Sequence, residues 1–260
     1  MRRFHLFEFG DQPWFPQLVH DAETAYLAAL YRFFPALTRQ WAQTISGVLD
    51  PAAPAEIVDL ASGSGGAMPF IIDELARRGY HAHATLTDLF PNSSSAAHPK
   101  IHWLAEPVDA THVPAKLTGV RTMFSAFHHL RPDAAQAVLK DAFDNRRPIC
   151  IFESGPGGTL GVILSAASPI HVLFVMPFAR PFRWGYLVFT YLVPLLSLIL
   201  LWDSIVSNLR IYSPQQMQTL TANLTAPDYE WKAGRIKVRA IPGGAPYLVG
   251  RPAIGVQSCW

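Results

Sequence analysis

The chain has 260 residues, half of them hydrophobic, and a formal net charge of +2. That length fits one α/β domain with an insertion or a lid, and a near-neutral charge without a basic block argues against nucleic acid as a partner. The two cysteines, Cys150 and Cys259, lie far apart and form neither a disulfide framework nor a metal-binding spacing, so we expect a cytoplasmic protein with no bound metal.

The first 50 residues are aromatic and predict a helical lid, which precedes a domain spanning residues 51–260. Within this lid, the stretch FEFGDQPWFP would fold over a site in the domain and shape an apolar pocket. The side chains expected to line that pocket are Glu8, Asp11, Trp14 and Phe15. Aromatic side chains in such a segment more often pack only among themselves, so a structural role is the alternative.

Short apolar segments alternate with helical patterns between residues 55 and 153. The predicted strands are Glu56–Leu60, His83–Thr87, Ile101–Leu104, Thr122–Ser125 and Ile149–Phe152, and the predicted helices are Ala67–Arg78 and Pro132–Asn145. Alternation at this spacing predicts an α/β fold with a doubly wound, Rossmann-like and mostly parallel sheet. Residues 229–254 read as two further strands around Pro242–Gly244, which predicts a C-terminal antiparallel hairpin.

Glycines follow the first predicted strand directly, in the stretch DLASGSGG. Ligands of open α/β sheets bind beyond the carboxyl ends of the strands, where glycine permits positive φ and a close backbone approach. The next helix also directs its free N–H groups to this place. Gly63 and Gly65 fit the first two glycines of a dinucleotide fingerprint, but Met68 stands at the third. A nicotinamide-linked oxidoreductase is therefore the weaker alternative.

Acidic residues end or follow the first three predicted strands. Asp59 ends the first, Asp88 ends the second, and Asp109 follows the third. A carboxylate at the second strand can bind a ribose diol, one after the third can accept from an adenine amine, and Asp59 can hold an ammonium group. Taken alone, Asp88 is equally compatible with capping a helix and Asp109 with capping a loop turn.

In this order the motifs DLASGSGG, Asp88, Asp109-Ala110 and MFSAFHHLRP resemble the class I S-adenosylmethionine-dependent methyltransferases over about residues 55–155. The first family motif is Asp/Glu-x-Gly-x-Gly-x-Gly, and Ala61 replaces its first glycine. The resemblance implies S-adenosyl-L-methionine as the cofactor and methyl transfer as the reaction. The residues that it places at the cofactor are Asp59, Ala61, Gly63, Gly65, Asp88, Leu89, Asp109, Ala110, Ser125 and Phe127.

Two histidines after the fourth strand are the candidates for the acceptor side. Imidazoles titrate near neutral pH, so His128 or His129 could remove a proton from the acceptor, and we expect His128 to be nearer the cofactor. The alternative is that one of them caps or packs the following helix. Glu153, at the end of the fifth strand, is expected to orient the acceptor or to bind nearby backbone. A cofactor-binding module without transferase activity, used for membrane docking or dimerisation, is the alternative function.

Residues at about 158–212 form an apolar helical insertion. Its stretch WGYLVFTYLVPLLSLILLW approaches the roughly 20 residues of a membrane span, but a single span would split the fold, so we reject one. The insertion is expected to wall a pocket for a small, largely apolar acceptor, or also to meet the inner face of a membrane or a second copy in a homodimer. Asp203 and Arg210 share a helix face and either bind a polar group of the acceptor or pair structurally.

Overall fold

The computed structural model describes residues 3–12, 14–91 and 98–253. Pro13, which belongs to the predicted lid, and the C-terminal Cys259 lie outside the described residues. Within these ranges, seven strands form one sheet in the order β3-β2-β1-β4-β5-β7-β6. The strands are β1 Ala55–Asp59, β2 Ala82–Leu86, β3 Ile101–Trp103, β4 Val120–Phe124, β5 Ile149–Phe152, β6 Tyr229–Val238 and β7 Ile241–Pro252.

The first five strands pair in parallel, and β7 pairs antiparallel with both β5 and β6. The predicted doubly wound sheet with a C-terminal hairpin is therefore confirmed. The helices are α1 Gln17–Phe33, α2 Pro35–Ser46, α3 Met68–Arg77, α4 Pro132–Asp144, α5 Gly158–Ser165, α6 Ser168–Val175, α7 Trp184–Leu187, α8 Leu195–Arg210 and α9 Pro214–Thr221.

Helices cover both faces of the sheet, as expected for parallel strands that are apolar on both sides. On β1, Ile57 packs into the core beneath α2 and α3, whereas Val58 packs into the core beneath α4 and α9. The alternation follows from the two-residue period of a strand. It explains why β1 reads as a continuous apolar run.

The observed bounds of the predicted strands and helices lie within two residues of the predicted ones. Ser125 is excluded from β4 because its backbone turns to a φ of +50°. Gly79 follows α3 with a φ of +88°, a conformation that glycine adopts readily at helix ends. Ser213 is the N-cap of α9 and forms a capping box with Gln216.

The N-terminal residues divide between three environments. Helix α2 is part of the sheet core, where Trp41 contacts the rings of Phe124 and Phe152. Helix α1 packs against α6 and α8 in a third core. The segment before α1 crosses the carboxyl end of the sheet. The division into a lid of residues 1–50 and a domain from residue 51 stays a prediction.

The apolar insertion is a set of short helices, α5 to α8, with a π-helical segment at Val188–Leu192. Among the described residues, no single helix is long and apolar enough to cross a bilayer. Two bent pairs meet the criteria of length and composition together: Gly158–Ser165 with Ser168–Phe178, bent by 51°, and Trp184–Leu192 with Leu195–Arg210, bent by 82°.

Candidate functional site

The glycine loop joins β1 to α3 at the carboxyl edge of the sheet. Ala61, Gly63 and Gly65 have φ angles of +49°, +54° and +75°. A Cβ on Gly65 would lie 2.6 Å from Leu86 Cδ1 and 3.2 Å from Trp103 Cζ2, so a larger residue would have to displace these side chains as well as adopt a positive φ. Ala61 adopts the left-handed conformation with a Cβ, which is uncommon for residues other than glycine. All three positions of the family motif thus share one backbone property.

Asp88 closes this loop from the end of β2. Its Oδ2 accepts a hydrogen bond from the Gly63 N–H at 2.8 Å, and its Oδ1 accepts one from the Phe90 N–H at 2.9 Å. Each carboxylate oxygen has a second lone pair and can accept another donor. The neighbouring side chains of Leu89 and Phe90 are exposed, Phe90 to 82%. Phe90 was missed by the sequence analysis, although its place after the strand-end Asp88 was a usable signal.

The loop after β3 is held beside Asp88, because the Val108 N–H donates to the Asp88 carbonyl at 2.9 Å. Asp109 is exposed, and its Oδ1 accepts hydrogen bonds from the backbone N–H and the hydroxyl of Thr111, both at 2.8 Å. These bonds lower the pKa of Asp109 and keep it ionised. Ala110 is half-buried and packs on the α4 side of the sheet.

Asp59 is buried at the end of β1, and its Oδ1 accepts a hydrogen bond from the Thr122 hydroxyl at 2.7 Å. Burial raises the pKa of Asp59 to about 7, and the charge of Asp88 adds to the rise. A bound cation would reverse this rise. Thr122 was missed by the sequence analysis, since its place in β4 gives no sign of a partner on β1.

Tyr31 of α1 connects the N-terminal helices to this edge. Its hydroxyl lies 3.1 Å from Ser125 Oγ, and its ring faces Gly66, where a Cβ would lie 3.7 Å from Tyr31 Cε2. The sequence analysis missed Tyr31, because its position in a helix does not reveal which strand it meets. Phe127 is fully buried against Tyr212 at 5.2 Å between ring centroids. Its side chain belongs to the core, so only its backbone is left for a cofactor.

His128 and Glu153 form a buried pair between the ends of β4 and β5. Glu153 Oε1 accepts from the His128 N–H at 3.0 Å, and Glu153 Oε2 lies 2.8 Å from His128 Nδ1. His128 is 4% exposed and Glu153 is fully buried. A carboxylate partner places the proton on Nδ1 and leaves Nε2 with a free lone pair. That Nε2 atom faces Glu8 Oε1 at 4.0 Å.

His129 is arranged in the same way but is half-exposed. Its Nδ1 lies 2.8 Å from Asp11 Oδ1, and its Nε2 lies 3.8 Å from Glu8 Oε2. The two imidazole rings are 4.2 Å apart between centroids. Both predicted catalytic histidines therefore direct Nε2 toward one carboxylate, that of Glu8.

Asp203 and Arg210 of α8 hold the N-terminal segment over this region. Asp203 accepts hydrogen bonds from the backbone N–H groups of Phe9 and Gly10, at 2.9 and 3.1 Å. Arg210 donates to Asp11 Oδ2 at 2.7 Å and to the Leu6 carbonyl at 2.8 Å. The sequence left open whether Asp203 and Arg210 bind the acceptor or pair structurally. In the structure, both residues bond to the N-terminal segment, which is a structural role.

The remaining pocket candidates lie in an aromatic cluster on the same segment. Phe9 lies 6.3 Å from Trp14 and 5.8 Å from Phe15 between ring centroids. Trp14 is exposed and Phe15 is half-buried. Both side chains therefore have aromatic partners within the segment itself.

Burial and neighbouring charges act in opposite directions on the pKa values of Glu8 and Asp11. Burial raises the pKa of Glu8 to about 7, against the opposing charges of His129 and Arg210. Burial also acts on Asp11, but the hydrogen bonds and charges of His129 and Arg210 outweigh it, and the pKa of Asp11 falls well below its usual value. The region thus combines an ionised Asp11 with a Glu8 that changes protonation near neutral pH.

No model of a known protein family matches the sequence, and no curated protein is significantly similar to it. The plantazolicin methyltransferase BpumL in complex with SAH is similar in fold, with a TM-score of 0.52 and 11% identity over 93% of this chain and 91% of that one. BpumL in complex with a monoazolic desmethylPZN analog and SAH gives a TM-score of 0.50 and 11% identity over 90% and 88%.

The citrinin polyketide synthase CMeT domain has a TM-score of 0.46 and 12% identity over 80% of this chain. The present chain spans about half of that structure, 49% of its length.

Proposed function

We propose that this chain, which has the class I S-adenosylmethionine-dependent methyltransferase fold, transfers a methyl group from S-adenosyl-L-methionine to a small, largely apolar acceptor. The observation that carries the proposal is the glycine loop with positive φ at Ala61, Gly63 and Gly65, closed by the Gly63 N–H bond to Asp88. The SAH bound to BpumL on the same fold supports it.

The cofactor would lie across the carboxyl ends of β1, β2 and β4. Asp88 would accept the ribose hydroxyls through its remaining lone pairs. Leu89 and Ala110 would flank the adenine, and Asp109 would accept its exocyclic amine. Asp59 would face the ammonium group, directly or through water, and a positive charge there would keep this buried carboxylate ionised.

The acceptor would lie between the cofactor and the residues that follow β4 and β5. Methyl transfer breaks the carbon–sulfur bond of the sulfonium and forms the bond from that carbon to the acceptor atom, in line with the leaving sulfur. Positioning supplies much of the acceleration of such a step. His128 Nε2 is the candidate to take the acceptor's proton, with Glu153 orienting its ring.

Calorimetric titration with S-adenosyl-L-methionine, its demethylated product and NAD tests the cofactor assignment. We expect the first two to bind and NAD to give no heat. Asp88→Ala should weaken binding by about 1–3 kcal/mol, because a charged acceptor of hydrogen bonds is lost. Asp73→Ala, which removes an exposed carboxylate of α3, is the control and should bind like the wild type.

Thermal unfolding of each variant without ligand shows whether the fold survives the loss of the hydrogen bond from Gly63 to Asp88. A folded Asp88→Ala protein that binds the cofactor normally would contradict the ribose assignment. Turnover separates the transferase from the cofactor-binding module: His128→Ala should reduce methyl transfer to an accepted substrate while leaving cofactor affinity unchanged.

The insertion supports a place for the acceptor at a membrane. Its exposed apolar side chains include Phe174 at 73%, Trp184 at 75% and Leu192 at 78%. Between residues 154 and 202, Arg180 and Arg183 are the charged residues, and both are exposed and cationic. Arg183 forms an ion pair with Asp21 of α1 at 3.0 Å, so Arg180 is the arginine available to anionic headgroups. An apolar face with tryptophan and arginine suits the surface of an anionic leaflet. We therefore propose a cytoplasmic enzyme that docks on the inner face of a membrane.

Flotation with vesicles of phosphatidylcholine and phosphatidylserine tests this docking. The wild type should float with the vesicles, and less so at high salt. The double variant Phe174→Ser/Trp184→Ser should stay at the bottom of the gradient. The control variant Phe90→Ser, which changes an equally exposed aromatic residue elsewhere, should float with the vesicles. A wild type that stays at the bottom and elutes as a dimer would assign the face to a homodimer instead.

A further inference from the structure

We propose that Glu8, His128 and His129 bind one divalent transition-metal ion, with zinc as the best match to their donor atoms. One ligand atom from each residue lies within 4.8 Å of the other two. The closest approaches to Glu8 are 4.0 Å from His128 Nε2 and 3.8 Å from His129 Nε2. Ligands about 2 Å from a tetrahedral ion lie about 3.3 Å apart, so an ion would draw these atoms together by about 0.5 to 1.5 Å.

Both imidazoles are already oriented as metal ligands. Each Nδ1 is bonded to a carboxylate outside the cluster, that of Glu153 for His128 and that of Asp11 for His129, each at 2.8 Å. A carboxylate partner favours the tautomer with the proton on Nδ1 and the lone pair on Nε2, and it is the usual support of zinc-bound histidines. For His129 the contact with Asp11 is shorter than the 3.3 Å contact of its Nδ1 with Arg210 Nη1.

Two atoms of the cluster are buried without a hydrogen bond: Glu8 Oε1 and His128 Nε2. Glu8 is 5% exposed and His128 is 4% exposed. Arg210 Nη1 forms an ion pair with Glu8 Oε1 at 3.1 Å, but its hydrogen-bond contacts are with Asp11 Oδ2 and His129 Nδ1. Buried polar atoms nearly always have a partner. A single ion between them would satisfy both.

The charge around the cluster also favours a cation. The carboxylates of Glu8, Asp11 and Glu153 face two guanidinium groups, those of Arg3 and Arg210. With neutral imidazoles, this leaves an excess of one negative charge. Two imidazole nitrogens with one carboxylate oxygen form a donor set that zinc prefers at sites with an open coordination position. The half-exposed ring of His129 marks the side from which solvent reaches it.

Ion binding is independent of the proposed function, whereas the use of the ion rests on it. On the acceptor side of the cofactor, the open position would take an oxygen or nitrogen atom of the acceptor and lower its pKa. The two imidazoles would then act as ligands, and the proton of the acceptor would leave to solvent instead of to His128.

Zinc titration of the chelator-treated, dialysed full chain, in competition with a chromogenic chelator, tests the site. We expect one ion per chain, with an affinity that falls at least about 100-fold in His129→Ala and in Glu8→Gln, since each loses a ligand. Asp11→Asn, which weakens the anchor of His129 and the ion pair with Arg210 without removing a ligand, should lose about 10–100-fold. His83→Ala, an exposed imidazole on β2, is the matched control and should bind like the wild type.

Cobalt provides a second readout, because the visible absorption of the bound ion reports low coordination number and nitrogen ligands. Thermal unfolding without metal identifies variants that are folded, and His129→Ala, at a half-exposed position, should be among them. A wild type that binds neither ion stoichiometrically would overturn the proposal. So would folded His129→Ala and Glu8→Gln proteins that bind zinc as tightly as the His83→Ala control. Cofactor calorimetry on the same samples shows separately whether the proposed function holds.

Discussion

Replacing Glu23 by glutamine should stabilise the protein increasingly as the pH rises. Glu23 lies on α1 and is 8% exposed. Burial raises the pKa of its carboxyl from 4.5 to about 9, and the charge and hydrogen bond of Asp203 add to the rise. A protonated Glu23 can donate to Asp203, whereas an ionised one would face it as a second buried negative charge. The structure therefore requires a neutral side chain at this position.

The magnitude follows from the two pKa values. Between 4.5 and about 9, the folded chain keeps a proton that the unfolded chain has lost, so the free energy of unfolding decreases as the pH rises. The decrease is about 1.4 kcal/mol per pH unit, or about 4 kcal/mol from about pH 5 to about pH 8. Glutamine stays neutral at both pH values and keeps a donor for Asp203. Glu23→Gln should thus match the wild type at the lower pH and exceed it by about 2–4 kcal/mol at the higher one.

Urea unfolding followed by circular dichroism at the two pH values measures this difference. Glu56→Gln, which removes an exposed carboxylate of β1, is the control and should change with pH as the wild type does. Because the comparison is between variant and wild type, other titrating groups cancel. A Glu23→Gln protein whose advantage does not grow with pH would refute the assignment of a neutral, buried Glu23.

Two substitutions of small residues test the backbone argument and the packing of the insertion. Ala61→Gly should raise stability by about 0.5–1 kcal/mol, because glycine removes the strain of a φ of +49° at a smaller entropic cost. The control Ala67→Gly, at a residue with a φ of −88°, should lower stability. If Ala67→Gly unfolded at a higher midpoint than Ala61→Gly, the argument from backbone strain would be contradicted. Gly161→Ala should destabilise the protein by about 1–3 kcal/mol, because its Cβ would lie 2.0 Å from Asn208 Oδ1. An unchanged melting temperature in Gly161→Ala would show that α5 and α8 do not pack as described.

The strands and the glycine loop could be predicted from the sequence because their signals are local. β5 was predicted with its observed bounds, since Ile149–Phe152 is a short apolar run between Pro148 and Glu153. The loop from Ala61 to Gly66 follows β1 directly, so glycine spacing alone indicated its backbone conformation. These features depend on neighbours within a few residues.

The contacts of the acceptor side could not be predicted in the same way. The bond from Arg210 to Asp11 joins residues 199 positions apart, and no local pattern indicates such a pairing. The cluster of Glu8 with His128 and His129 has the same origin, because residue 8 lies about 120 positions before the two histidines. Helical periodicity in α1 likewise could not reveal that Tyr31 meets Ser125.

The place of β7 between β5 and β6 has a consequence for how the chain matures on the ribosome. Phe152 pairs with Tyr247, and the apolar helices of the insertion are synthesised between these two residues. Until Pro252 has emerged from the ribosome, one edge of β5 therefore stays unpaired while the apolar helices of the insertion are exposed. At ordinary translation rates this state lasts several seconds. A nascent chain in that state is an obvious client for a holdase or for early capture by lipid, and slower elongation in this region should lower the soluble yield.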